Sequence, residues 1–359
     1  RALDRAVEWV VAQARRLGRF VDRTARSLVL RFTQKRSFSV EGEAHQTWVS
    51  EEGEPQSAST AMSLARRIAS WDARCKNLST ADQAKAAPLL RDARKLRDDI
   101  RTAAQKVLRA RAAALGATGS GAAALRTTID AEQTTIDTCQ TDMQPVLASL
   151  FVLFGDTKTP AGANLEAQIF ALVETYDQVV IPLKRAGLVK GTPETVSRTF
   201  RSQWNARMFP QARGWVLQME RVCAAARNVG TGRLPYLLGV EMRIHGTEID
   251  YTVRENHVVN AIPIDVDVAV EVKHYGAMRD RPISGGRTLT VADQILQRVR
   301  TLTSQVTSSL RDPQYTVVRV EIRGYDNTPP AMQSNLASLF KGFTSLAVSL
   351  SKIFQWVKV

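Results

Sequence analysis

The sequence predicts an α+β protein, an α-helical N-terminal region followed by an α/β core, and three observations carry that prediction. First, 44% of the residues are apolar but only 6% aromatic, and long runs of Ala, Arg, Leu and Gln favour extended helices over a large β-sandwich. Second, the texture changes after Gly230: between residues 234 and 275 β-branched residues and period-2 alternation take over. Third, a helical pattern returns from Val291 to Leu310 and a strand pattern from Tyr315 to Arg323. With a helix ahead of residue 230, the order is helix, three strands, helix, strand. A chain of 359 residues exceeds the usual single domain. It divides by pattern into 1–56, 57–228, 229–328 and 329–359.

From Leu3 to Leu30 apolar positions recur at helical spacing, with Arg15, Arg16, Arg19, Arg23 and Arg26 interspersed. Residues 1–36 hold ten basic and three acidic side chains. Such a basic amphipathic helix packs on its own protein, on a partner or on a membrane surface. Residues 37–50 alternate as a short hairpin about Gly42. The run Phe38 to Val49, behind a basic amphipathic helix, resembles a segment of large bacterial toxins and of cargo proteins of extracellular contractile injection systems.

Two or three helices are expected over 58–114, with a break at Leu78-Ser79-Thr80, where Ser79 or Thr80 followed by Asp82 suits a helix start. Gly116 to Ala122 reads as a flexible connector, Ala123 to Phe154 as a helix and 155–164 as a second break. Helices over 165–228 are punctuated by Pro182, Pro193 and Pro210. At the far end, Leu336, Leu339, Phe340, Phe343, Leu346, Leu350, Ile353, Phe354 and Val357 form a near-heptad stripe, read as one amphipathic helix after Pro329-Pro330.

The chemistry concentrates on two strands. In Gly246 to Val253, Glu248 and Asp250 are two residues apart and share a strand face. A turn is expected at Glu255-Asn256-His257. In Ile264 to Tyr275, Val266, Val268, Val270 and Val272 form one face, while Asp265, Asp267, Ala269, Glu271 and Lys273 form the other. An ordinary half-solvated strand gives the same alternation. Phosphodiester cleavage, however, needs a cation to polarise the phosphoryl oxygen, an activated water and stabilisation of the leaving oxygen. Mg²⁺ takes oxygen ligands and keeps several waters, so Asp250 and Glu271 on adjacent strands suit it. Lys273, two residues beyond Glu271, is placed to orient the water and offset developing charge.

These residues, in this order of elements, resemble the PD-(D/E)XK superfamily of nucleases, over about 100 residues. Asp250 matches the aspartate of its first motif and Glu271-Val272-Lys273 its second; Ile249 stands where the family often has proline. The resemblance implies a restriction-endonuclease-like core with a mixed four-stranded sheet and Mg²⁺ (or Mn²⁺) held by Asp250 and Glu271. It also implies Lys273 at the attacking water, Glu248 as a further carboxylate and Gln294 near the site from the following helix. Many members add a glutamate from the preceding helix; Glu220 is the candidate, with Glu166 and Glu241 as rivals. The implied activity is hydrolysis of DNA or RNA.

Residues 279–311 contain six arginines against Asp280 and Asp293. Arg279, Arg281, Arg287 and Arg298 are the candidate phosphate contacts, the alternative being a solvated loop and helix face. The net charge of +14 and pI near 10.1 suit a polyanionic partner or plain solubility equally. Taken with the toxin-like segment, the expectation is a secreted or injected nuclease toxin acting in the target-cell cytoplasm. An immunity protein and delivery components would be its partners. The competing expectation is a helical delivery or interaction protein carrying an inactive nucleic-acid-binding fold. No zinc-ligand spacing, phosphate-binding Gly loop or serine nucleophile elbow is present. Cys75, Cys139 and Cys223 form no paired framework and read as small buried residues. No stretch reaches ~18 uninterrupted apolar residues. The chain starts at Arg1, as a fragment would, so a signal peptide cannot be read from it.

Overall fold

The computed structural model describes residues 48–49, 55–56 and 63–359, apart from 158, 206–208, 245–246, 260–261, 276–279 and 284–286. The basic helix expected over 3–30 and the hairpin about Gly42 lie outside these residues. Residues 1–47 and Trp48–Val359 are separate units.

The second unit begins with a two-residue antiparallel pair, β1 (Trp48–Val49) and β2 (Pro55–Gln56). The helical layer comes next as α1 (Leu64–Cys75), α2 (Thr80–Ala114), α3 (Gly119–Leu153) and α4 (Pro160–Arg185). Ser79 is the N-cap of α2 as its sequence suggested, its Oγ accepting from the Asp82 N–H at 3.2 Å. The long α2 and α3 pack along small and aliphatic positions: Ala93, Ile100, Ala103 and Val107 against Ile129, Ile136 and Met143. Two expected breaks are shorter than the sequence implied. Gly119 and Gly121 already lie within α3, and α4 starts at Pro160, with Thr159 Oγ1 capping the Gly162 N–H at 3.1 Å. Small residues at a helix start cost little, and proline belongs in a first turn.

After β3 (Lys190–Gly191) come α5 (Pro193–Asn205) and α6 (Phe209–Ala226). The sheet then runs through β4 (Tyr236–Ile244), β5 (Thr247–Val259) and β6 (Ile262–His274). A small pair, β7 (Arg281–Ile283) and β8 (Arg287–Leu289), leads into α7 (Val291–Arg311). β9 (Val317–Arg323), α8 (Pro330–Ser349) and β10 (Ile353–Lys358) complete the chain. The order across the sheet is β10-β9-β6-β5-β4-β3, mixed and six-stranded. The sheet is thus wider than the four strands expected, because β3 and β10 add an edge on each side. β4, β5 and β6 are an antiparallel meander, whereas β6, β9 and β10 are parallel and joined through α7 and α8, as parallel neighbours require.

Two further expectations are corrected. The turn placed at Glu255-Asn256-His257 is paired strand, with Glu255 opposite Val266 and His257 opposite Ile264. Polar residues there are tolerated because this end of the hairpin runs past β4, leaving Val258 and Ile262 exposed as well. The C-terminal stripe is not one helix: α8 stops at Ser349, and Ile353–Lys358 is a strand. Ser351 with φ +56° breaks the helical path, and Phe354 and Trp356 then alternate onto the face where Phe340 and Phe343 of α8 lie. A stripe of aromatic and aliphatic residues satisfies a helix or a strand, and packing decides.

Both faces of β6 are covered from Val268 to Val272. Val266, Val268, Val270 and Val272 join the core beneath the helical layer, while Ala269 joins Val318, Val320 and Ile322 beneath α7 and α8. The half-solvated alternation is therefore a central strand buried from Val268 to Val272. Of the cysteines, Cys139 is buried and Cys75 and Cys223 half-buried, all free. No helix among the described residues is long and apolar enough to cross a membrane.

Candidate active site

The site forms where β5 and β6 part. Their pairing runs from Val259↔Ile262 to Tyr251↔Val270 and stops one residue short of Asp250. There the Asp250 side chain takes over the ladder, Oδ2 accepting the Val272 N–H at 2.6 Å. A carboxylate fixed by a backbone donor is held in one orientation. Glu271, directly before Val272, is fully buried. Lys273 Nζ joins the two, 2.9 Å from Glu271 Oε2 and 3.4 Å from Asp250 Oδ2. The three residues expected to act together are brought together.

The electrostatics of this trio are those of charges taken out of water. Burial pushes the Glu271 carboxyl up to about 8, Lys273 opposing and Asp250 adding to the shift. Burial would lower the Lys273 ammonium, but Asp250 and Glu271 outweigh it and hold its pKa above the usual lysine value. Lys273 is therefore a fixed positive charge that donates hydrogen bonds at neutral pH. The second oxygen of Glu271, Oε1, is buried without a hydrogen-bond partner. An orphan of this kind costs ~1–3 kcal/mol or more when the group is charged, so it marks a position that favours a ligand.

The structure brings a further glutamate to this region. Glu241 lies between Val240 and Met242, which pair with Tyr251 and Ile249, so it sits across β4–β5 from Asp250. It is buried and has φ +50°, an uncommon conformation for a non-glycine residue. Its Oε1 accepts from Gln218 Nε2 on α6 at 2.5 Å, and the same Nε2 reaches the Asp250 carbonyl at 2.8 Å. Burial pushes Glu241 up to about 8, with Asp250, Glu248 and Glu271 adding to it and the Gln218 hydrogen bond opposing. Gln218 had no role in the sequence reading. Its signal was faint, an amide two residues before Glu220 on the helix ahead of the meander. It positions the neighbouring strands, and Gln218→Ala is expected to cost about 1–3 kcal/mol in urea unfolding; an unchanged midpoint would sink that role.

The remaining candidates divide. Glu248 is exposed, and its charge acts on Glu241. Glu220 on α6 is ion-paired with Arg323 at 2.7 Å and 39% exposed, whereas Glu241 sits across β4–β5 from Asp250. Glu166 lies on α4 near Arg67 and Asp156, in the helical layer. Gln294 is buried in the first turn of α7, with Nε2 reaching the Leu289 and Thr290 carbonyls at 3.3 Å. Arg298 stacks over the Tyr275 ring, its guanidinium carbon 5.3 Å from the centroid. Arg281 and Arg287 belong to β7 and β8, and Arg279 lies outside the described residues.

The donor set of two carboxylates with an orphaned buried oxygen fits a hard divalent cation that keeps part of its water shell. Asp250 and Glu271 are the residues that would hold it. Among the described residues no group of three or more His, Cys, Asp or Glu side chains is placed to hold a metal ion. Comparison of the chain with protein-family models, curated proteins and solved structures gave no match in any of the three.

Proposed function

We propose that this protein is a metal-dependent nuclease of the PD-(D/E)XK, restriction-endonuclease-like type, hydrolysing phosphodiester bonds in DNA, with RNA as the second substrate to test. The single observation that carries this reading is the sharing of Lys273 by Asp250 and Glu271. The helix–three-strand–helix–strand order of α6, β4, β5, β6, α7 and β9 supports it.

A bound Mg²⁺ or Mn²⁺ would supply Lewis-acid polarisation of a phosphoryl oxygen and a more acidic water. Asp250 and Glu271 would hold the cation, and Asp250 is kept in place by the Val272 N–H. Lys273, charged and hydrogen-bonding, orients the attacking water and offsets the negative charge that grows on the phosphoryl group. Gln218 holds β4 and β5 together behind Asp250.

The same contacts allow a second reading, in which Lys273 ion-pairs with both carboxylates in a purely structural role. That protein binds nucleic acid and cuts none. The test is nicking of supercoiled DNA and degradation of structured RNA with Mg²⁺, with Mn²⁺ and with EDTA. Metal-dependent cleavage that EDTA abolishes is the expected result. A well-folded protein that binds either polymer and cuts neither in both metals establishes the second reading. The wider proposal of an injected bacterial toxin with an immunity partner rests on the likeness of Phe38 to Val49, of which only Trp48 and Val49 are described.

A further inference from the structure

Past Glu271, β6 continues the face that carries the reaction centre. Alternation sets Glu271, Lys273 and Tyr275 on one side of the sheet and Val272 and His274 on the other. The ladder holds through Tyr275, whose N–H donates to the Arg323 carbonyl of β9 at 2.8 Å, so its side chain keeps that direction. The face is roofed by α7, whose Gln294, Ile295 and Leu302 are buried, and Tyr275 shares one core with Ile295 and Leu302. Arg298 lies between Ile295 and Leu302 at helical spacing, on the same side of α7. Its guanidinium carbon stands 5.3 Å from the centre of the Tyr275 ring. Glu271 Oε1 and the Tyr275 hydroxyl are both buried with no hydrogen-bond partner, and along the strand they flank Lys273. Burial raises the pKa of the Tyr275 phenol, Lys273 and Arg298 acting against it, so at neutral pH the hydroxyl carries its proton.

We propose that the Tyr275 hydroxyl, with Arg298 held over its ring, is the phosphate-binding half of the site and donates a hydrogen bond to a non-bridging oxygen of the scissile phosphodiester. The inference rests on the nuclease reading and deepens it by naming the groups that meet the anion of the substrate. Donors and acceptors divide along β6. Asp250 and Glu271 offer oxygens to a cation, whereas Lys273, Tyr275 and Arg298 offer N–H and O–H groups to an anion. A buried hydroxyl without a partner costs stability in the free protein, and an acceptor on the substrate relieves that cost. The hydroxyl is already out of water and fixed by its packing, so it needs no reorganisation as charge grows on the phosphoryl oxygens. No proton leaves the phenol; the hydrogen bond shortens as the oxygen gains charge. Tyr275 was not singled out by the sequence, because a tyrosine ending a valine-rich strand reads as core.

The experiment compares Tyr275→Phe with Tyr315→Phe in the full chain, by steady-state cleavage of a DNA duplex and a structured RNA in Mg²⁺ and in Mn²⁺, and by urea unfolding in EDTA. Both substitutions delete one hydroxyl: Tyr315 is buried in the same core, and its hydroxyl also lacks a partner. Tyr315 stands just before Val317, the partner of Val268, whereas Lys273 pairs with Ile322, so Tyr315 is on the order of 20 Å of strand away from the site. Tyr275→Phe is expected to lower kcat roughly 10²-fold with KM within about twofold of the parent, as loss of one preorganised donor does. Tyr315→Phe should keep the parent's kcat and KM. Both should unfold at or above the parent's urea midpoint, since neither hydroxyl has a bond to lose. Arg298→Gln should lower kcat/KM about tenfold, mainly through KM, as loss of a contact made equally in ground and transition states does. Parental kcat in Tyr275→Phe beside an active parent overturns the proposal and leaves the nuclease reading standing. A urea midpoint lowered in Tyr275→Phe alone reveals a partner for the hydroxyl in the free protein and overturns it too. A well-folded parent that cleaves neither polymer in either metal overturns the nuclease reading, and this inference with it.

Discussion

Lys273→Met is expected to lower the initial rate of metal-dependent cleavage by about 10²–10⁴ while leaving nucleic-acid binding in EDTA within a few-fold of the parent. The side chain is nearly isosteric, so what is lost is the ammonium that lies 2.9 Å from Glu271 and 3.4 Å from Asp250. The stability cost works through the same atoms. Breaking a buried ion pair from one side typically costs ~3–5 kcal/mol, but Glu271, already pushed up to about 8 by burial, escapes part of this by taking a proton. The variant is therefore expected to fold at neutral pH with a lowered urea midpoint. Lys273→Arg keeps the charge but replaces a point donor by a planar fork, and should recover stability more than rate. Parental cleavage by Lys273→Met would remove the site from the chemistry.

Glu241→Gln is expected to stabilise the metal-free protein at about pH 9 by up to about 4 kcal/mol and to change little at about pH 5. The sign comes from the direction of the shift. Burial and the neighbouring carboxylates raise the folded-state pKa of Glu241 from 4.5 to about 8, so between those values the folded protein binds more protons than the unfolded one. Stability is fully present below the unfolded pKa and falls as pH rises through the folded value. Glutamine keeps the carbonyl that accepts from Gln218 and removes the titration. Urea unfolding in EDTA at the two pH values reads this directly. A stabilisation equal at both would show that Glu241 is not held neutral by its surroundings. Mg²⁺ should oppose the alkaline loss in the parent, by about 2.7 kcal/mol at a hundredfold excess over its dissociation constant.

How much of this was legible from the sequence depends on the length scale of each interaction. The Ser79 cap, the two boundaries of α7 within a residue and the period-2 pattern of β6 come from neighbours a few positions apart. So does the pairing of Glu271 with Lys273, since two residues along a strand always share a face. The partnership with Asp250 needed only the hairpin, 21 residues apart. The length of that hairpin was not legible: Glu255-Asn256-His257 has turn-like composition, yet pairing with Val266, Asp265 and Ile264 keeps it extended.

The sequence by itself determined the local periods and the chemical identities that a site can use: strand against helix over most of the chain, and two carboxylates and a lysine within reach of one another. The tertiary structure alone decided which distant groups share that space. Only folding sets Glu241 across from Asp250, hands both to Gln218 of α6, and turns the stripe from Ile353 to Val357 into a sixth strand beside β9. The reason is that a residue's own spacing fixes the face it occupies, whereas the neighbours on that face are fixed by burial summed over many elements, a quantity no window of sequence contains.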